Sequence, residues 1–323
     1  MIDRSPNIIE LGKWKFHKIE ITDLALFSKY IKATQYPANL WSSNFAYLWA
    51  ISQSSIRKVL WKIVDNMLVT FVHSDKDTLY ICCLPFGKAN PEKVTRVLKK
   101  CTQYCYNWNK QDKSRTMIKM INSDQLDFLR RCPEFDKTFR LVNWKGIERH
   151  NDIKKLVALE GSEFSDIRNR ISKFHRDNPN AVISEFSNDD YNELIELGDR
   201  WKNTSGKKYK NIFDTVYFKE ITRHYKELKQ TILVIKNDEK IIDMISGSEL
   251  PTGDAWGSVV KFVEGIPGLS ETLIIEFAKK LNEINSLIRL INVGSDIGAG
   301  GLREYKLKFR PVLNLKRYEI YLK

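Results

Sequence analysis

Residues 255–282 read AWGSVVKFVEGIPGLSETLIIEFAKKLN. Residues from Ala255 to Val263 are mostly apolar, with Gly257, Ser258 and Lys261 among them, which predicts a strand, and Gly265-Ile-Pro-Gly268 ends this pattern. Apolar residues then recur at intervals of three and four from Ser270 to Asn282, which predicts an amphipathic helix. A strand that passes through a glycine turn into a helix is typical of α/β proteins.

The glycine turn at Gly265 and Gly268 has two interpretations. The first N–H groups of a helix lack intrahelical partners and carry a partial positive charge, so a helix start with close glycine backbone can bind phosphate. The same residues also make an ordinary tight turn. The sequence leaves both interpretations open.

Strand and helix patterns also occur on both sides of this stretch. A segment of weak periodicity between residues 140 and 159 separates two such series, so we predict two domains, residues 1–150 and 151–323. The predicted fold class is α/β, with mixed α+β sheets. The predicted helices cover 22–32, 90–108, 165–176, 190–201 and 215–228, and the predicted strands cover 59–64, 68–72, 79–84, 181–185, 231–236, 241–250, 288–293 and 318–322.

Composition limits the functional classes. The 323 residues are 42% apolar, so a sizeable core can form, and the formal net charge is +13. Lys and Arg outnumber Asp and Glu by 25 to 14 in residues 1–150 and by 28 to 26 in residues 151–323. The basic first half favours a polyanionic partner, namely nucleic acid, an anionic lipid surface or a phosphorylated cofactor. Scattered lysines that serve solubility explain the same charge, and both explanations stay open.

Cysteines and apolar runs predict the compartment. There are five cysteines, an odd number, which argues against a secreted disulfide framework. Cys101 and Cys105 have helical spacing but no partner that completes a metal site, so we predict buried thiols and no bound metal. The sequence shows no apolar run of membrane-spanning length and no signal-peptide pattern, which predicts a cytoplasmic protein.

A second glycine-rich stretch follows the strand predicted at 288–293. Residues 292–311 read NVGSDIGAGGLREYKLKFRP. Polar residues at the end of a strand commonly line a site in α/β sheets. Asp296 can act there as a general base or hold a substrate amine, and Arg303, Lys306 and Lys308 can bind a phosphate or an oxyanion. A helix cap beside a solvated lysine face is the alternative.

Residues 301–311, followed by Arg317-Tyr318, resemble the end of the catalytic domain of phosphatidylglycerol lysyltransferases. They resemble still more closely the soluble family named for its likeness to that C-terminal domain. Ser43–Trp49 and the pair Leu159-Glu-Gly161 and Arg168–Phe174 resemble two further segments of these relatives. The resemblance implies two tandem GNAT-like domains (the acyl-CoA N-acyltransferase fold), with the catalytic site in the second.

The resemblance also implies an activity. It implies an acyl-transfer enzyme that moves an aminoacyl group from aminoacyl-tRNA to an amine or hydroxyl acceptor, either a lipid headgroup or a small molecule. No tightly bound cofactor is expected, and tRNA and a transient anionic membrane surface are the expected partners. Transfer from acyl-CoA is one alternative. A catalytically inactive GNAT-like module that binds RNA or an acidic partner is another, because Val293, Gly294 and Ser295 follow Asn292 where the family often has Arg, Glu and Asp.

Predicted site residues follow from the motifs and the resemblance together. Asp296 is the candidate base, and Arg303 and Lys306 are the candidates that stabilise negative charge. A basic helix over 165–176 is a candidate for contact with a tRNA backbone or a lipid headgroup, and the loop Lys207-Lys208-Tyr209-Lys210 is a candidate for tRNA contact. A solvated surface is the alternative for both. The predicted substrate- and cofactor-binding residues are Lys261, Gly265, Gly268, Asn292, Gly298, Lys308, Arg168 and Lys173.

Overall fold

The computed structural model describes residues 7–208 and 215–323. Contacts divide the chain into two units, one formed by residues up to Lys145 together with Leu315–Lys323, the other by Gly146–Asn314. The division predicted at residue 150 placed the last strand in the second domain. The structure returns that strand to the first unit, because it pairs antiparallel with Met117–Asn122.

The first unit is a sheet with helices, as its apolar patterns predict. Asp65 and Asn66 both have left-handed backbone, with φ of 49° and 61°, as a two-residue hairpin turn requires. The elements up to residue 138 are β1 (Ile8–Leu11), β2 (Trp14–Lys18), α1 (Leu24–Lys32), α2 (Phe45–Ser52), β3 (Arg57–Val64), β4 (Met67–Ser74), β5 (Leu79–Ile81), α3 (Pro91–Trp108), β6 (Met117–Asn122), α4 (Ser123–Leu129) and α5 (Pro133–Thr138).

Helix α3 shows why the local sequence folds as it does. The Asn90 side chain accepts a hydrogen bond from the backbone N–H of Lys93 at 3.0 Å, and Pro91 occupies the first turn. Cys101 and Cys105 lie buried on its apolar face as free thiols. The prediction that these two cysteines are buried is therefore confirmed.

A long strand carries the chain from the first unit into the second. This strand, β7, runs from Phe139 to Asp152. The elements that follow are α6 (Ile153–Ala158), α7 (Ser165–Asp177), β8 (Val182–Glu185), α8 (Tyr191–Asn203), α9 (Thr215–Arg223), β9 (Thr231–Asn237), β10 (Lys240–Glu249), β11 (Ala255–Phe262), α10 (Leu269–Ile284), β12 (Leu290–Ser295), α11 (Gly300–Lys308) and β13 (Leu313–Leu322).

The two units have sheets of different order. In the first, the order is β1-β2-β3-β4-β5-β6-β13, and β5 and β6 are parallel. In the second, it is β7-β12-β11-β10-β9-β8, and β11 and β12 are parallel while their other neighbours are antiparallel. This mixed arrangement confirms the predicted fold class, and it places the strands predicted at 255–263 and 288–293 side by side.

Both faces of the second sheet are covered by helices. Val260 and Phe262 on β11 pack into the apolar core that also contains Leu273 and Phe277 of α10. Lys261, between Val260 and Phe262 in the chain, instead contacts Trp201 of α8. Successive side chains of a strand point to opposite faces, so α10 and α8 lie on opposite faces of the sheet.

Candidate functional site

The parallel strands β11 and β12 are paired only at their start. Their ladder comprises Ala255 with Ile291 and Trp256 with Asn292, and it extends no further along either strand. Carbonyl groups of β12 beyond this point therefore lack a β11 partner. Such a parting between parallel strands gives a substrate access to backbone groups and to the side chains at the strand ends.

Lys306 supplies a cation at this parting. Its ammonium group donates a hydrogen bond to the carbonyl oxygen of Val293 and another, 3.0 Å long, to that of Ser295. Gly294 lies between these two residues with a φ of 72°, and a Cβ atom there would stand 3.7 Å from the Lys306 nitrogen. The lysine is thus held against the end of β12 by two backbone oxygens.

Asn292 and Glu148 form a buried polar pair next to this lysine-bound segment. The Asn292 side-chain amide donates to the Glu148 carboxylate at 2.8 Å and accepts from the N–H of Gly294 at 2.7 Å. Both side chains are buried, and Glu148 is completely so. The pair links β12 to β7 through side chains in addition to the backbone ladder.

His150 lies on the same face of β7 as Glu148, because the two residues are two positions apart in one strand. It stands opposite Asn292 in the ladder. Burial lowers the pKa of His150 to about 4, so its imidazole is neutral at pH 7. Neither ring nitrogen has a hydrogen-bond partner among residues 7–208 and 215–323.

Asp296 is fully buried, and both of its carboxylate oxygens accept hydrogen bonds. It accepts hydrogen bonds from the Arg149 guanidinium at 3.0 Å and from the N–H groups of Ile147 at 3.0 Å and Gly298 at 3.1 Å. Burial raises the pKa of Asp296, but these hydrogen bonds, led by that of Arg149, outweigh burial and leave the pKa below its usual range. Asp296 is therefore ionised at neutral pH and holds the loop after β12.

The remaining predicted residues of the loop and of α11 have distinct surroundings. Gly298 has a φ of 76°, which favours glycine in the turn that precedes α11. The Arg303 side chain is half exposed, with its Nε 3.7 Å from Asp296. The Lys308 ammonium lies 3.5 Å from the Glu271 carboxylate of α10.

The start of α10 is tightly packed. Gly268 has a φ of 80°, and a Cβ atom there would stand 2.1 Å from the carbonyl oxygen of Arg170 on α7. Glu271, an acidic residue in the first turn of α10, is also buried. Gly265 differs, since a Cβ atom there would meet nothing within 4 Å. Packing against α7 therefore accounts for the glycine at 268 without a phosphate.

Lys261 and the basic helix α7 make different contacts. The Lys261 ammonium is buried and lies 3.4 Å from the centroid of the Trp201 ring, a cation–π distance. Arg168 donates to the carbonyl oxygens of Leu159 and Gly161, which end and follow α6, so it stabilises that connection. Lys173 is exposed on α7.

The predicted basic loop lies in the chain between α8 and α9. Tyr209 and Lys210 of the predicted basic loop lie outside the described residues. Within residues 7–208 and 215–323, no group of three or more His, Cys, Asp or Glu side chains could hold a metal ion. No helix in the described ranges is both long and apolar enough to span a membrane.

Comparison with known proteins now decides the family. The sequence model described as phosphatidylglycerol lysyltransferase, C-terminal, matches residues 36–321. The chain belongs to this family. The resemblance inferred from residues 301–311 is therefore confirmed, and a transferase activity of the aminoacyl type is established at the level of the family. No curated protein sequence matches the chain.

Solved structures show the same fold. A conserved protein of unknown function from Bacteroides thetaiotaomicron is 20% identical, with a TM-score of 0.80 over 95% of this chain and 99% of its own. L-PGS from Bacillus licheniformis is 16% identical, with a TM-score of 0.64 over 97% and 94%. A tandem GNAT protein from the clavulanic acid biosynthesis pathway is 8% identical, with a TM-score of 0.52 over 95% and 98%. The fold is thus GNAT-like, as predicted.

The sequence analysis missed three residues of the site, Glu148, Arg149 and His150. They lie in the segment whose weak periodicity was interpreted as a domain boundary. All three are buried, although charged and polar residues in a row usually indicate an exposed loop. A run of polar residues flanked by strand-forming ones was the only signal that could have identified them.

Proposed function

We propose that this chain is an aminoacyltransferase that moves an aminoacyl group from aminoacyl-tRNA to an amine or hydroxyl acceptor. The acceptor is a lipid headgroup or a small molecule. Family membership supports the reaction class. The observation that carries the proposal for this chain is the Lys306 ammonium, held by the carbonyl oxygens of Val293 and Ser295 where β11 and β12 part.

The reaction needs little covalent help from the enzyme. The acceptor nitrogen or oxygen attacks the carbonyl carbon of the aminoacyl ester, and the carbonyl oxygen becomes negative. The bond from the carbonyl carbon to the ribose oxygen of the tRNA then breaks, and the proton lost by the acceptor ends on that ribose oxygen. A fixed positive charge at the site stabilises that oxygen without reorganisation. Lys306 is placed for this role, and Arg303 on the same helix supplies a second, half-exposed cation.

Asp296 stays a predicted catalytic residue, and its contacts favour a positioning role over that of a base. A carboxylate with a lowered pKa and three hydrogen-bond donors is a weak proton acceptor. By binding Arg149 and the N–H groups of Ile147 and Gly298, it fixes the loop that leads from β12 into α11. Lys306 in turn depends on the orientation of α11.

The packing at α10 favours tRNA over acyl-CoA as the donor. A helix start that binds pyrophosphate needs open N–H groups. Here the Arg170 carbonyl covers Gly268, and the buried Glu271 carboxylate lies in the first helical turn. The excess of Lys and Arg in residues 1–150 also suits a large polyanionic donor.

The test is transfer from charged tRNA. Purified protein is incubated with tRNA carrying radiolabelled amino acids and with either phosphatidylglycerol vesicles or small amines, and labelled products are separated and identified by mass spectrometry. We expect Lys306→Ala to lower turnover by about 10²–10³-fold, as loss of one oxyanion donor does. The control Lys316→Ala removes an exposed lysine of β13 and should leave turnover unchanged.

Two outcomes would contradict the proposal. Transfer from acetyl-CoA without transfer from any aminoacyl-tRNA would establish the acyl-CoA alternative. Folded protein that transfers from neither donor, with Lys306→Ala indistinguishable from wild type in all assays, would favour the inactive binding module.

A further inference from the structure

Five side chains of the first unit form a continuous line of contacts across three strands. The Lys119 ammonium of β6 lies 4.3 Å from the centroid of the Trp144 ring of β7 and 2.5 Å from the Glu319 carboxylate of β13. The Tyr321 hydroxyl donates to Glu319 at 2.8 Å, and the Arg140 guanidinium lies 4.6 Å from the Tyr321 ring centroid. We call these five residues the Trp144–Arg140 row.

The row lies on one face of the sheet, and its two ends, Trp144 and Arg140, are exposed, while Glu319 in its middle is buried. Arg140 and Trp144 are four positions apart in β7, and Glu319 and Tyr321 are two apart in β13, so each pair shares a face. Trp144 is 40% exposed, although tryptophan is among the more buried residue types. Arg140 is exposed as well, and so is Lys145, the residue next to Trp144.

The charge of the row suits a polyanion. Glu319 is its single acid, and the Lys119 ammonium and the Tyr321 hydroxyl both bind it. Among residues 7–208 and 215–323 Arg140 forms no ion pair with a carboxylate, and its guanidinium lies over an aromatic ring. The row therefore presents one unneutralised guanidinium, that of Arg140, and two aromatic rings.

Alternating rings and cations match the chemistry of a single nucleic-acid strand. Bases stack on aromatic side chains, while cations between the rings bind the phosphates that join the bases. We propose that the Trp144–Arg140 row binds unpaired nucleotides of tRNA, with a base on Trp144 and a phosphate near Arg140. This inference rests on the proposed function for the identification of the nucleic acid as tRNA. The contacts of the row by themselves indicate a single nucleic-acid strand.

The test measures tRNA binding by the full chain. Fluorescence anisotropy of end-labelled tRNA is recorded over a range of salt concentrations for wild type, Trp144→Ala and Arg140→Ala. We expect Trp144→Ala to weaken binding by about 5- to 100-fold, in keeping with the loss of one stacked base. We expect Arg140→Ala to reduce the slope of log K against log salt by about 0.7, the value for one phosphate of a single strand.

Two matched variants make the test specific. Trp144→Phe keeps a ring for stacking and should recover most of the affinity lost in Trp144→Ala. Arg131→Ala removes an exposed arginine of the first unit that lies outside the row and should leave the salt slope unchanged. Circular dichroism melts check that each variant is folded, and Arg140→Ala decides the matter if Trp144→Ala fails to fold.

The outcomes separate this inference from the proposed function. Unchanged tRNA affinity and slope in both variants would overturn the row as a nucleotide site even if aminoacyl transfer occurs. Loss of binding to phosphatidylglycerol vesicles with intact tRNA binding would overturn it in favour of a lipid surface. Weakened tRNA binding in a protein that transfers no aminoacyl group would support the row while the proposed function fails.

Discussion

Replacing Arg149 with methionine should strongly destabilise the second unit. The guanidinium donates to Asp296 at 3.0 Å and to Asn314 at 2.5 Å, and both members of the Arg149–Asp296 ion pair are buried. Removing one member of a buried pair typically costs about 3–5 kcal/mol, because the other charge stays buried without its partner. Asp296 keeps the N–H groups of Ile147 and Gly298, so we expect the lower end, about 3 kcal/mol.

The pH dependence of this effect has a defined sign. In the wild type, hydrogen bonds overcome burial and lower the pKa of Asp296. Its contribution to stability is therefore present above the unfolded carboxyl pKa of about 3.9 and is lost as pH falls through the lower folded value. Replacing Arg149 removes the largest of the hydrogen bonds that lower this pKa, so the carboxyl accepts a proton at a higher pH than in the wild type. The difference in stability between wild type and Arg149→Met should thus shrink as the pH falls from 7 toward 4.

Urea unfolding followed by circular dichroism at pH 7 and pH 5 measures this difference. Lys137→Met serves as the control, because Lys137 pairs with Glu134 on the surface and its loss should produce no measurable change. Arg149→Met should lose more stability than a surface ion pair contributes, so a loss below about 1 kcal/mol at pH 7 would refute the reasoning. A stability difference between wild type and Arg149→Met that does not change between pH 7 and pH 5 would refute it as well.

Three further predictions concern single positions. Gly268→Ala should lower the free energy of unfolding in urea by at least about 2 kcal/mol, because it combines left-handed backbone strain with a clash against the Arg170 carbonyl. Gly265→Ala introduces the strain alone and should lower it by about 1 kcal/mol. Equal losses would show that α7 moves to relieve the clash. His150 has a pKa of about 4 in the folded protein, so the free energy of unfolding of the wild type should fall as the pH drops from about 6.5 to 4. The variant His150→Gln has no titrating group at this position, so its free energy of unfolding in urea should depend less on pH over this range. Asp296→Asn should lower turnover at least about tenfold while the protein stays folded; near-normal turnover beside a lowered melting temperature would make Asp296 purely structural.

Periodic segments of the fold could be predicted from sequence, and aperiodic ones could not. The helix over 90–108 appears close to its predicted bounds because one of its faces is buried and the other is not. The strands over 231–263 appear close to theirs because their apolar residues are buried in a sheet that helices cover on both faces. Strand β7 gives no such signal. Its residues 142–145 are all exposed and residues 148–151 are all buried, so neither part alternates. A 14-residue strand was therefore interpreted as a boundary.

The site was predicted in part for a related reason. Asn292, Asp296 and Lys306 stand in one glycine-rich stretch, where local sequence brings them together. Arg149, which holds Asp296, is 147 positions away in the chain. Pairing of β7 with β12 brings them together, and a single sequence carries no trace of that pairing.

The position of β13 has a consequence for the order in which the chain acquires its structure during synthesis. The second unit is one uninterrupted segment, Gly146–Asn314, whereas the first needs Leu315–Lys323 to complete its sheet beside β6. In a chain without residues 315–323 the second unit has its whole segment, but β6 has an unpaired edge, and such edges promote misassembly. The first unit thus begins before the second in the chain but is completed after it. Removing residues 315–323 would damage the first unit rather than the segment that carries Lys306.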